Sequence, residues 1–303
     1  MNKVDVIIIG AGPGGVTAAI YLKRAGVSFK LFEKEMVGGK VNLTANIDNY
    51  PPIESIGGFD LASSYMKDLA YNDIEVSYED VLEVAKDNNE FIVKTNYDEY
   101  YSKAVLVASG TSDKTLGVKG EEKFLHKGIS HCVVCDGNLF KGKPMAIVGG
   151  GNSALEECLY LMSLTDKIYL IHRRDEFRGN QTYLDKLKQS EKVEILTPYR
   201  IIECDGDQKL RKIIIENVNT FETKELEIEA LFEYVGLIPN TSFIKGFDIF
   251  DENGFIAVNI HQETRVEGLF ACGDVTNKPL RQVIIASGDA ALATHSILNY
   301  LRK

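Results

Sequence analysis

The chain has 303 residues, and its hydrophobic (45%) and charged (26%) fractions are those of an ordinary globular protein of about two domains. Its 44 acidic and 34 basic residues give a net charge of −10, which disfavours nucleic acids and anionic membranes as partners. Five cysteines are too few, and odd in number, for a secreted disulfide framework. With no signal peptide and no apolar run of about 18 residues, we expect a cytoplasmic protein without a membrane anchor.

The chain begins with a predicted dinucleotide-binding unit. Residues 4–10 form an apolar, β-branched run that predicts a buried strand, and the turn GAGPGG follows at 10–15. A helical pattern over 16–26 leads to a second strand that ends at Glu33. In this pattern the glycines make a tight turn, let the backbone approach a pyrophosphate and let the helix pack on the strand. The helix N-terminus attracts phosphate, and Glu33 is placed to bind ribose hydroxyls.

Between the two units, alternating runs within 70–107 predict strands that flank the first unit. The arrangement of the first unit then recurs. A predicted strand at 144–148 leads into GGGNSA at 149–154, where alanine replaces the third glycine, and a helix and a strand ending at residue 172 follow. The acid or base that ends the second strand lies 23 residues after the first glycine in both units.

The charge at the end of this strand differs between the two units and predicts their ligands. An acid suits a free 2′-hydroxyl and repels a 2′-phosphate, whereas paired arginines do the reverse. Glu33 therefore predicts FAD or NAD in the first unit, and Arg173 and Arg174 predict NADPH in the second. The alternative interpretation of HRRDEFR at 172–178 is a solvated run of charges.

The remaining segments complete the two units. Residues 200–235 predict a meander beside the second unit, and the tail predicts a strand and a C-terminal helix that packs back on the first. The predicted fold is α/β, with two Rossmann-like, three-layer dinucleotide-binding domains, the second inserted in the first. The expected domains are 1–114 plus 242–303 for FAD and 115–241 for NADPH, with turn-rich linkers at 111–117 and 236–241.

The segment HCVVCDG at 131–137 carries two cysteines in CxxC spacing. A zinc site is disfavoured because His126, His131, Cys132 and Cys135 crowd into ten residues and no second CxxC or distant His pair completes them, so we expect no metal site. An inert buried pair remains an alternative. A redox disulfide is favoured because two dinucleotide sites can deliver electrons to it.

Such a relay gives each group a role. NADPH supplies a hydride, FAD accepts it and passes an electron pair to sulfur, and the opened dithiol attacks the disulfide of a partner. Asp136 is placed to exchange the proton that a leaving thiolate needs. An equally open alternative is that Asp136 caps a helix over the following GNLF.

With these motifs in hand, the chain resembles the low-molecular-weight, bacterial-type thioredoxin reductases over essentially its whole length. The motifs that carry the resemblance are GAGPGG at 10–15, EKEMVGGK at 33–40, NYP at 49–51, CVVCDG at 132–137, GGGNSALEE at 149–157, HRRDEFR at 172–178, PNT at 239–241, and GDV and RQV within 273–283.

The resemblance implies a set of site residues. FAD would be bound by Gly10, Gly12, Pro13, Gly14, Gly15, Glu33, Lys34, Gly38, Gly39, Lys40, Asn49, Ser109, Gly110, Gly273, Asp274, Arg281, Gln282 and Val283. NADPH would be bound by Gly151, Asn152, Ser153, His172, Arg173, Arg174 and Arg178. Cys135 would face the flavin, Cys132 would attack thioredoxin, and Asp136 would be the acid.

The resemblance also implies a homodimer, thioredoxin or a similar CxxC protein as partner, and an inserted domain that swings between NADPH oxidation and disulfide reduction at one flavin. Three positions depart from the common pattern. Lys40 replaces a glutamine, where a cation near the flavin would change its potential, and Ser109 replaces a threonine. Cys272 replaces a small apolar residue and is expected to be a packed side chain.

Four other kinds of function are associated with similar motifs. A reductase of the glutathione-reductase type carries its cysteines just after the first fingerprint, where this chain has none. The flavoprotein partner of a peroxiredoxin usually carries an additional N-terminal redox domain. A flavoprotein exchanging electrons between NADPH and ferredoxin or flavodoxin would leave the CxxC idle, and a redox sensor would use the CxxC to signal without turnover.

Overall fold

The computed structural model describes residues 2–44, 47 and 49–303, with only the backbone of Cys135. The chain forms two compact units, one of residues 1–112 and 238–303 and the other of residues 113–237. The boundaries expected from the sequence, after 114 and before 242, differ from these by two and four residues.

The described strands follow one another along the chain as β1 (Lys3–Ile9), β2 (Phe29–Glu33), β3 (Val76–Tyr78), β4 (Val81–Asp87), β5 (Glu90–Thr95), β6 (Glu99–Val107), β7 (Thr111–Asp113), β8 (Ile129–Ser130), β9 (Met145–Val148), β10 (Ile168–Ile171), β11 (Val193–Leu196), β12 (Tyr199–Gly206), β13 (Leu210–Asn217), β14 (Thr223–Glu227), β15 (Ala230–Glu233), β16 (Leu237–Pro239) and β17 (Leu269–Ala271). The described α-helices are α1 (Pro13–Arg24), α2 (Gly58–Tyr71), α3 (Glu121–Phe124), α4 (Val133–Asp136), α5 (Asn152–Leu161), α6 (Gln181–Lys188) and α7 (Val283–Leu301). Short 3-10 helices span Gly39–Leu43, Gly137–Phe140 and Gly273–Val275.

The first unit is built on a sheet in the order β3-β2-β1-β6-β5-β4, with β17 also pairing with β6. Strands β1, β2, β3, β6 and β17 run parallel, whereas β4, β5 and β6 form an antiparallel meander. The central strand β1 is apolar and buried over residues 6–9, where both of its faces are covered, as is usual for parallel strands. On one face, Leu22 of α1 and Ile297 of α7 share a core with Leu106, which confirms that the C-terminal helix packs on the first unit.

The second unit repeats this plan. Its parallel sheet has the order β11-β10-β9-β15-β8, and β12, β13 and β14 form a separate antiparallel sheet, so the predicted meander is confirmed. Alternate residues of β9 enter cores on opposite faces, with Ile147 packing among the residues of α5 and Ala146 among those of the meander. The α/β class with two dinucleotide-binding folds is therefore confirmed.

The two connections between the units differ from the expected turns. Strand β7 pairs with β16 in a two-stranded sheet, and the backbone N–H of Asn240 donates to the carbonyl of Gly110. The sequence at 111–117 and 236–241 predicts turns and does not predict β7 and β16. Each of these strands has only three residues, and the strand with which it pairs is remote in sequence.

Packing of the second unit depends on Phe232, which is fully buried on β15. We expect Phe232→Ala to lower the free energy of unfolding by about 3–5 kcal/mol, because the large cavity cannot close. Phe221, which is 68% exposed, is the matched control, and Phe221→Ala should change the stability by less than about 0.5 kcal/mol. Denaturant unfolding followed by circular dichroism measures both, and equal effects would contradict the assigned core.

Candidate functional site

The first glycine turn is closed on one side and open on the other. A Cβ on Gly15 would lie 1.8 Å from the carbonyl oxygen of Gly10, so only glycine allows α1 to approach β1. At Gly12 the nearest atom to a Cβ is 3.9 Å away, and no side chain caps the helix. The first N–H groups of α1 therefore lie beside open space, which suits a phosphate group.

Glu33 ends β2 beside this turn and is buried. Its Oε2 accepts a hydrogen bond from the backbone N–H of Ala11 (2.8 Å), and Oε1 accepts one from Glu35 (2.9 Å). Both oxygens keep a lone pair for a ligand hydroxyl, since a carboxylate accepts about four hydrogen bonds. The acid thus fixes the turn and remains available to a ribose.

The loop at 38–40 lies against the same turn. The backbone N–H of Gly38 donates to the carbonyl of Ala11 (2.8 Å), and a Cβ on Gly39 would lie 3.7 Å from Cα of Gly12. Lys34 and Lys40 are exposed. The structure therefore brings Gly38 and Gly39 to the first turn.

The tail supplies a second cluster in the first unit. Arg281 Nε donates to the carbonyl of Asp274 (3.3 Å), and its guanidinium lies 4.3 Å from the ring centre of Phe255. Burial raises the pKa of the Asp274 carboxyl, while Lys40 and Arg281 act in the opposite direction. Lys40 is thus electrostatically coupled to Asp274.

The N-terminus of α7 is formed by the predicted residues Gln282 and Val283. Gln282 occupies the N-cap position, but its side chain makes no hydrogen bond to the first turn of the helix. Its Oε1 instead accepts a hydrogen bond from Asn49 Nδ2 (2.9 Å). The structure therefore joins two predicted FAD residues that are remote in sequence.

Two further interactions hold loops of the first unit, and the sequence alone did not predict them. Lys278 and Asp289 form a partly buried ion pair, and Asp289 Oδ2 also accepts from the backbone N–H of Gly273 (3.2 Å). Ser109 Oγ donates to the carbonyl of Asn240 (2.6 Å), and Asn240 Nδ2 donates to that of Ser109 (3.0 Å). Asp289 is the single acid in the sequence of α7, and this was the signal for the first interaction.

The second glycine turn has the same open side. Gly151 caps α5, and a Cβ there would meet no atom within 4 Å. The backbone N–H groups of Arg178 and Gly179 both donate to the carbonyl of Gly150 (2.8 and 3.1 Å). Asn152 Oδ1 accepts from the backbone N–H of Asn180 (2.7 Å). The arginine-rich loop is therefore fastened to the glycine turn.

His172 is buried, unlike the arginines that follow it. A Cβ on Gly150 would lie 2.2 Å from its ring, and Nε2 lies 3.2 Å from the carbonyl oxygen of Glu176. Burial lowers the pKa of His172, and Arg174, Arg178 and Arg173 lower it further, so the imidazole is neutral near pH 7. His172 thus supports the turn, whereas the three arginines, with Asn152 and Ser153, are exposed.

The CxxC begins just after β8. The hydroxyl of Ser130 donates to Asp136 Oδ2 (2.6 Å) and accepts from the backbone N–H of Cys132 (3.1 Å). The backbone N–H of Val133 donates to the hydroxyl of Tyr234 (3.0 Å). Asp136 precedes the 3-10 helix Gly137–Phe140 without capping it, so the capping interpretation is wrong. Ser130 holds the carboxylate instead. The side chain of Cys135 lies outside the described part of the structure.

The other cysteines are buried thiols. Burial raises the pKa of Cys158 and Cys204 to about 12, and it also raises that of Cys272. The Cys272 sulfur lies 3.1 Å from where a Cβ on Gly14 would be, so Cys272 is a packed side chain, as expected. In the described residues no group of three or more His, Cys, Asp or Glu side chains is arranged to hold a metal ion. None of the described helices combines the length and apolarity needed to span a membrane.

Comparison with known proteins identifies the class. Residues 4–291 match the family described as pyridine nucleotide-disulphide oxidoreductase. The thioredoxin reductase of Bacillus subtilis is 37% identical over 300 residues, covering 99% of this chain and 95% of that protein. The chain therefore belongs to the pyridine nucleotide-disulphide oxidoreductases.

Solved structures narrow this to one enzyme family. The crystal structure of Lactococcus lactis thioredoxin reductase superposes with a TM-score of 0.83 at 35% identity, covering 99% of each chain. A ferredoxin-flavin thioredoxin reductase from Clostridium acetobutylicum has a TM-score of 0.56 at 28% identity, covering 100% of this chain and 98% of that one. Within its class, the chain belongs to the thioredoxin reductases. The family resemblance, the enzyme class, and FAD and NADPH as cofactors are confirmed.

The two sides of the first glycine turn predict different outcomes for one added methyl group. Gly15→Ala should abolish folding of the first unit, because the Cβ would overlap the Gly10 carbonyl. Gly12→Ala should fold but retain FAD at least about tenfold more weakly, because the methyl group occupies the phosphate side. Expression, thermal unfolding and flavin absorbance of the two variants measure this, and full flavin content in Gly12→Ala would contradict it.

Proposed function

We propose that this chain performs the thioredoxin reductase reaction with NADPH as donor, FAD as carrier and the Cys132–Cys135 pair as the outlet to a protein disulfide. The observation that carries this proposal is the division of groups between the two units. The acid-terminated fingerprint lies in the unit of residues 1–112 and 238–303, whereas the arginine-terminated fingerprint and the CxxC share residues 113–237.

FAD suits the first unit because the open side of its turn accepts a pyrophosphate and Glu33 accepts ribose hydroxyls. When bound, FAD accepts a hydride from NADPH and passes the electron pair to a disulfide. Arg281 and Asp274 hold the loop at the end of β17, and the Asn49–Gln282 hydrogen bond fixes the entrance to α7. The N-terminus of α7 favours negative charge on a group placed before it.

NADPH suits the second unit because an uncapped helix N-terminus and exposed arginines lie on the same turn. The N–H groups of α5 would bind the pyrophosphate, and Asn152 and Ser153 border it. Arg173, Arg174 and Arg178 would bind the 2′-phosphate, since a guanidinium matches phosphate oxygens bidentately. The buried ring of His172 packs against Gly150 and supports the glycine turn.

The CxxC transfers the electrons by thiol–disulfide exchange. The Cys132 thiolate attacks one sulfur of the partner disulfide and releases the other as a thiolate, and Asp136 takes the proton of the Cys135 thiol and passes it to this leaving thiolate. The Cys135 thiolate formed in this way then attacks Cys132, which closes the pair and releases the second partner sulfur as a thiolate that takes its proton from water. The Ser130 hydroxyl connects the two residues, because it donates a hydrogen bond to the Asp136 carboxylate and accepts one from the backbone N–H of Cys132.

The location of both NADPH and CxxC groups in one unit supports the predicted swing, since each must reach the same flavin. A disulfide engineered to lock the units in one orientation should spare one half-reaction and stop steady turnover. Rapid-mixing absorbance resolves the half-reactions, and reduction of the tether restores turnover as the control. Full turnover in the locked enzyme would overturn the swing.

We further infer a cytoplasmic homodimer that reduces thioredoxin or a similar CxxC protein. Support comes from the thioredoxin reductases to which the chain is similar and from its acidic, ordinary composition. Sedimentation of the purified flavoprotein measures the oligomeric state.

The similarity to a ferredoxin-flavin thioredoxin reductase makes the electron donor the first property to test. Arg173→Ala and Arg174→Ala should each raise KM for NADPH by about 10-fold to 100-fold while leaving NADH oxidation unchanged, because only NADPH carries the 2′-phosphate. Arg200→Ala, which removes an exposed arginine of the meander, is the matched control. Equal wild-type rates with NADH and NADPH would contradict the assignment.

Cys132→Ser separates disulfide reduction from the other electron-transfer functions. The variant should lose NADPH-dependent reduction of thioredoxin by at least about a thousandfold, because the thiol that attacks the partner is gone and Cys135 has no cysteine with which to close a disulfide, and should keep flavin reduction by NADPH. Cys158→Ala removes a buried thiol of the same unit and should keep activity. Unchanged disulfide reduction in Cys132→Ser would contradict the proposal. If the wild-type protein stops consuming NADPH after one reduction although oxidised thioredoxin is present, the result would favour a redox sensor.

A further inference from the structure

Two buried carboxyl groups of the second unit act on each other, and one of them lies near His131, beside the CxxC. Glu233 ends β15, and its side chain is 0% exposed. Glu121 begins α3 and is 4% exposed. The Glu121 carboxylate accepts from the backbone N–H groups of Leu116 (2.9 Å) and Val118 (3.0 Å), which lie on the segment that enters the second unit.

The surroundings of the two acids differ. Glu121 has two N–H donors and is therefore the member suited to carry the negative charge. Among the described residues, neither oxygen of Glu233 receives a hydrogen bond. A buried carboxylate without donors is strongly disfavoured, whereas a protonated carboxyl can donate its proton to Glu121. Burial, reinforced by Glu121, raises the pKa of Glu233 to about 9.

Glu233 and its neighbour Tyr234 contact the residues on both sides of Cys132. His131 Nδ1 lies 3.4 Å from the Glu233 carbonyl oxygen and 3.9 Å from Glu233 Oε2. The Tyr234 hydroxyl accepts from the backbone N–H of Val133. The end of β15 therefore determines where the peptide carrying Cys132 runs.

The titratable groups that face Glu233 come from three surrounding segments. They are Glu121 of α3, His131 before the CxxC, and Cys204 of β12, whose pKa is raised by burial and then by Glu233 and Glu121. Cys204 is neutral over the ordinary pH range. Ionisation of Glu233 would therefore place a second negative charge beside Glu121 and a new one beside His131.

We propose that Glu233 is a positioning residue for Cys132: as a protonated carboxylic acid, it links Glu121 at the entry to the second unit with His131 at the redox segment. Loss of this proton separates the two carboxylates, loosens the link and disfavours the Cys132 thiolate. The role given to Cys132 rests on the proposed function, whereas the protonation of Glu233 does not.

The protonation state is tested by stability. An unfolded Glu ionises near pH 4.5, and the folded state holds the Glu233 proton to about pH 9. The folded state thus binds one more proton between these values, and wild type should lose stability relative to Glu233→Gln as pH rises from 5 to 9, with no further loss above. Glu229→Gln, at an exposed ion pair, should show no such trend. A constant difference between wild type and Glu233→Gln would overturn the proposal.

Infrared spectroscopy of the wild type gives a second measurement if Glu233→Gln does not fold. The carbonyl stretch of a protonated carboxylic acid should disappear near pH 9. The pH at which the band disappears distinguishes Glu233 from Glu157, because burial raises the pKa of Glu157 only to about 7. Absence of any acid band lost near pH 9 would overturn the proposal.

Positioning is tested by alkylation of Cys132 with iodoacetamide in a Cys135→Ser background, without donor or acceptor. Glu233→Gln can still donate to Glu121, and should alkylate at pH 7 within about twofold of the parent, whereas Glu233→Leu should differ at least about fivefold. Above pH 9, Glu233→Gln should react faster than the parent, because it gains no charge. Equal rates for all three would overturn the positioning role. Thioredoxin reduction by wild type, assayed in parallel, tests the proposed function separately.

Discussion

At both glycine turns, strand and helix approach so closely that a methyl group would separate them. A Cβ on Gly15 would overlap the Gly10 carbonyl, and one on Gly149 would lie 2.6 Å from the Tyr234 carbonyl oxygen and 2.8 Å from Cβ of Ala154. This contact places each helix N-terminus at the carboxyl end of its strand, beside the end of the next parallel strand. The residues that end those strands, Glu33 and His172 with its arginines, reach the turns for that reason. The charge at each strand end is therefore a local feature that distinguishes the nucleotides expected at the two turns.

The parts of the structure that sequence predicted are those encoded over short distances. The strand, glycine turn, helix and strand of each unit carry their own hydrophobic period, and the meanders alternate, so both were predicted. The charges of Glu33, Arg173 and Arg174, at the ends of the second strands, predicted which nucleotide each turn binds. The pairing of β7 with β16 left no local signal, because three-residue strands have too few side chains to show a period.

The contacts that support the site residues have a different origin, because they form only in the folded chain. Asp136 looks like a helix cap from its neighbours, but Ser130 already engages its carboxylate. Asp289, Asn240 and Tyr234 act through Gly273, Ser109 and Val133, each known only once the chain is folded. His172 fits the nucleotide pattern by position, yet burial against Gly150 gives it a supporting role. Sequence pattern predicts which groups face a ligand, whereas the groups that hold them in place are identified only by tertiary contacts.

The pairing of β7 with β16 has a consequence for how such a chain can arise. The two segments through which residues 113–237 leave and rejoin the rest of the chain are hydrogen-bonded neighbours. For the remaining residues, the 125-residue insertion is therefore topologically equivalent to a long hairpin loop. A folded domain with adjacent ends can be added to or removed from a host at one surface position without rethreading it. This geometry allows a duplicated nucleotide-binding fold to be placed inside its own copy while each retains its core.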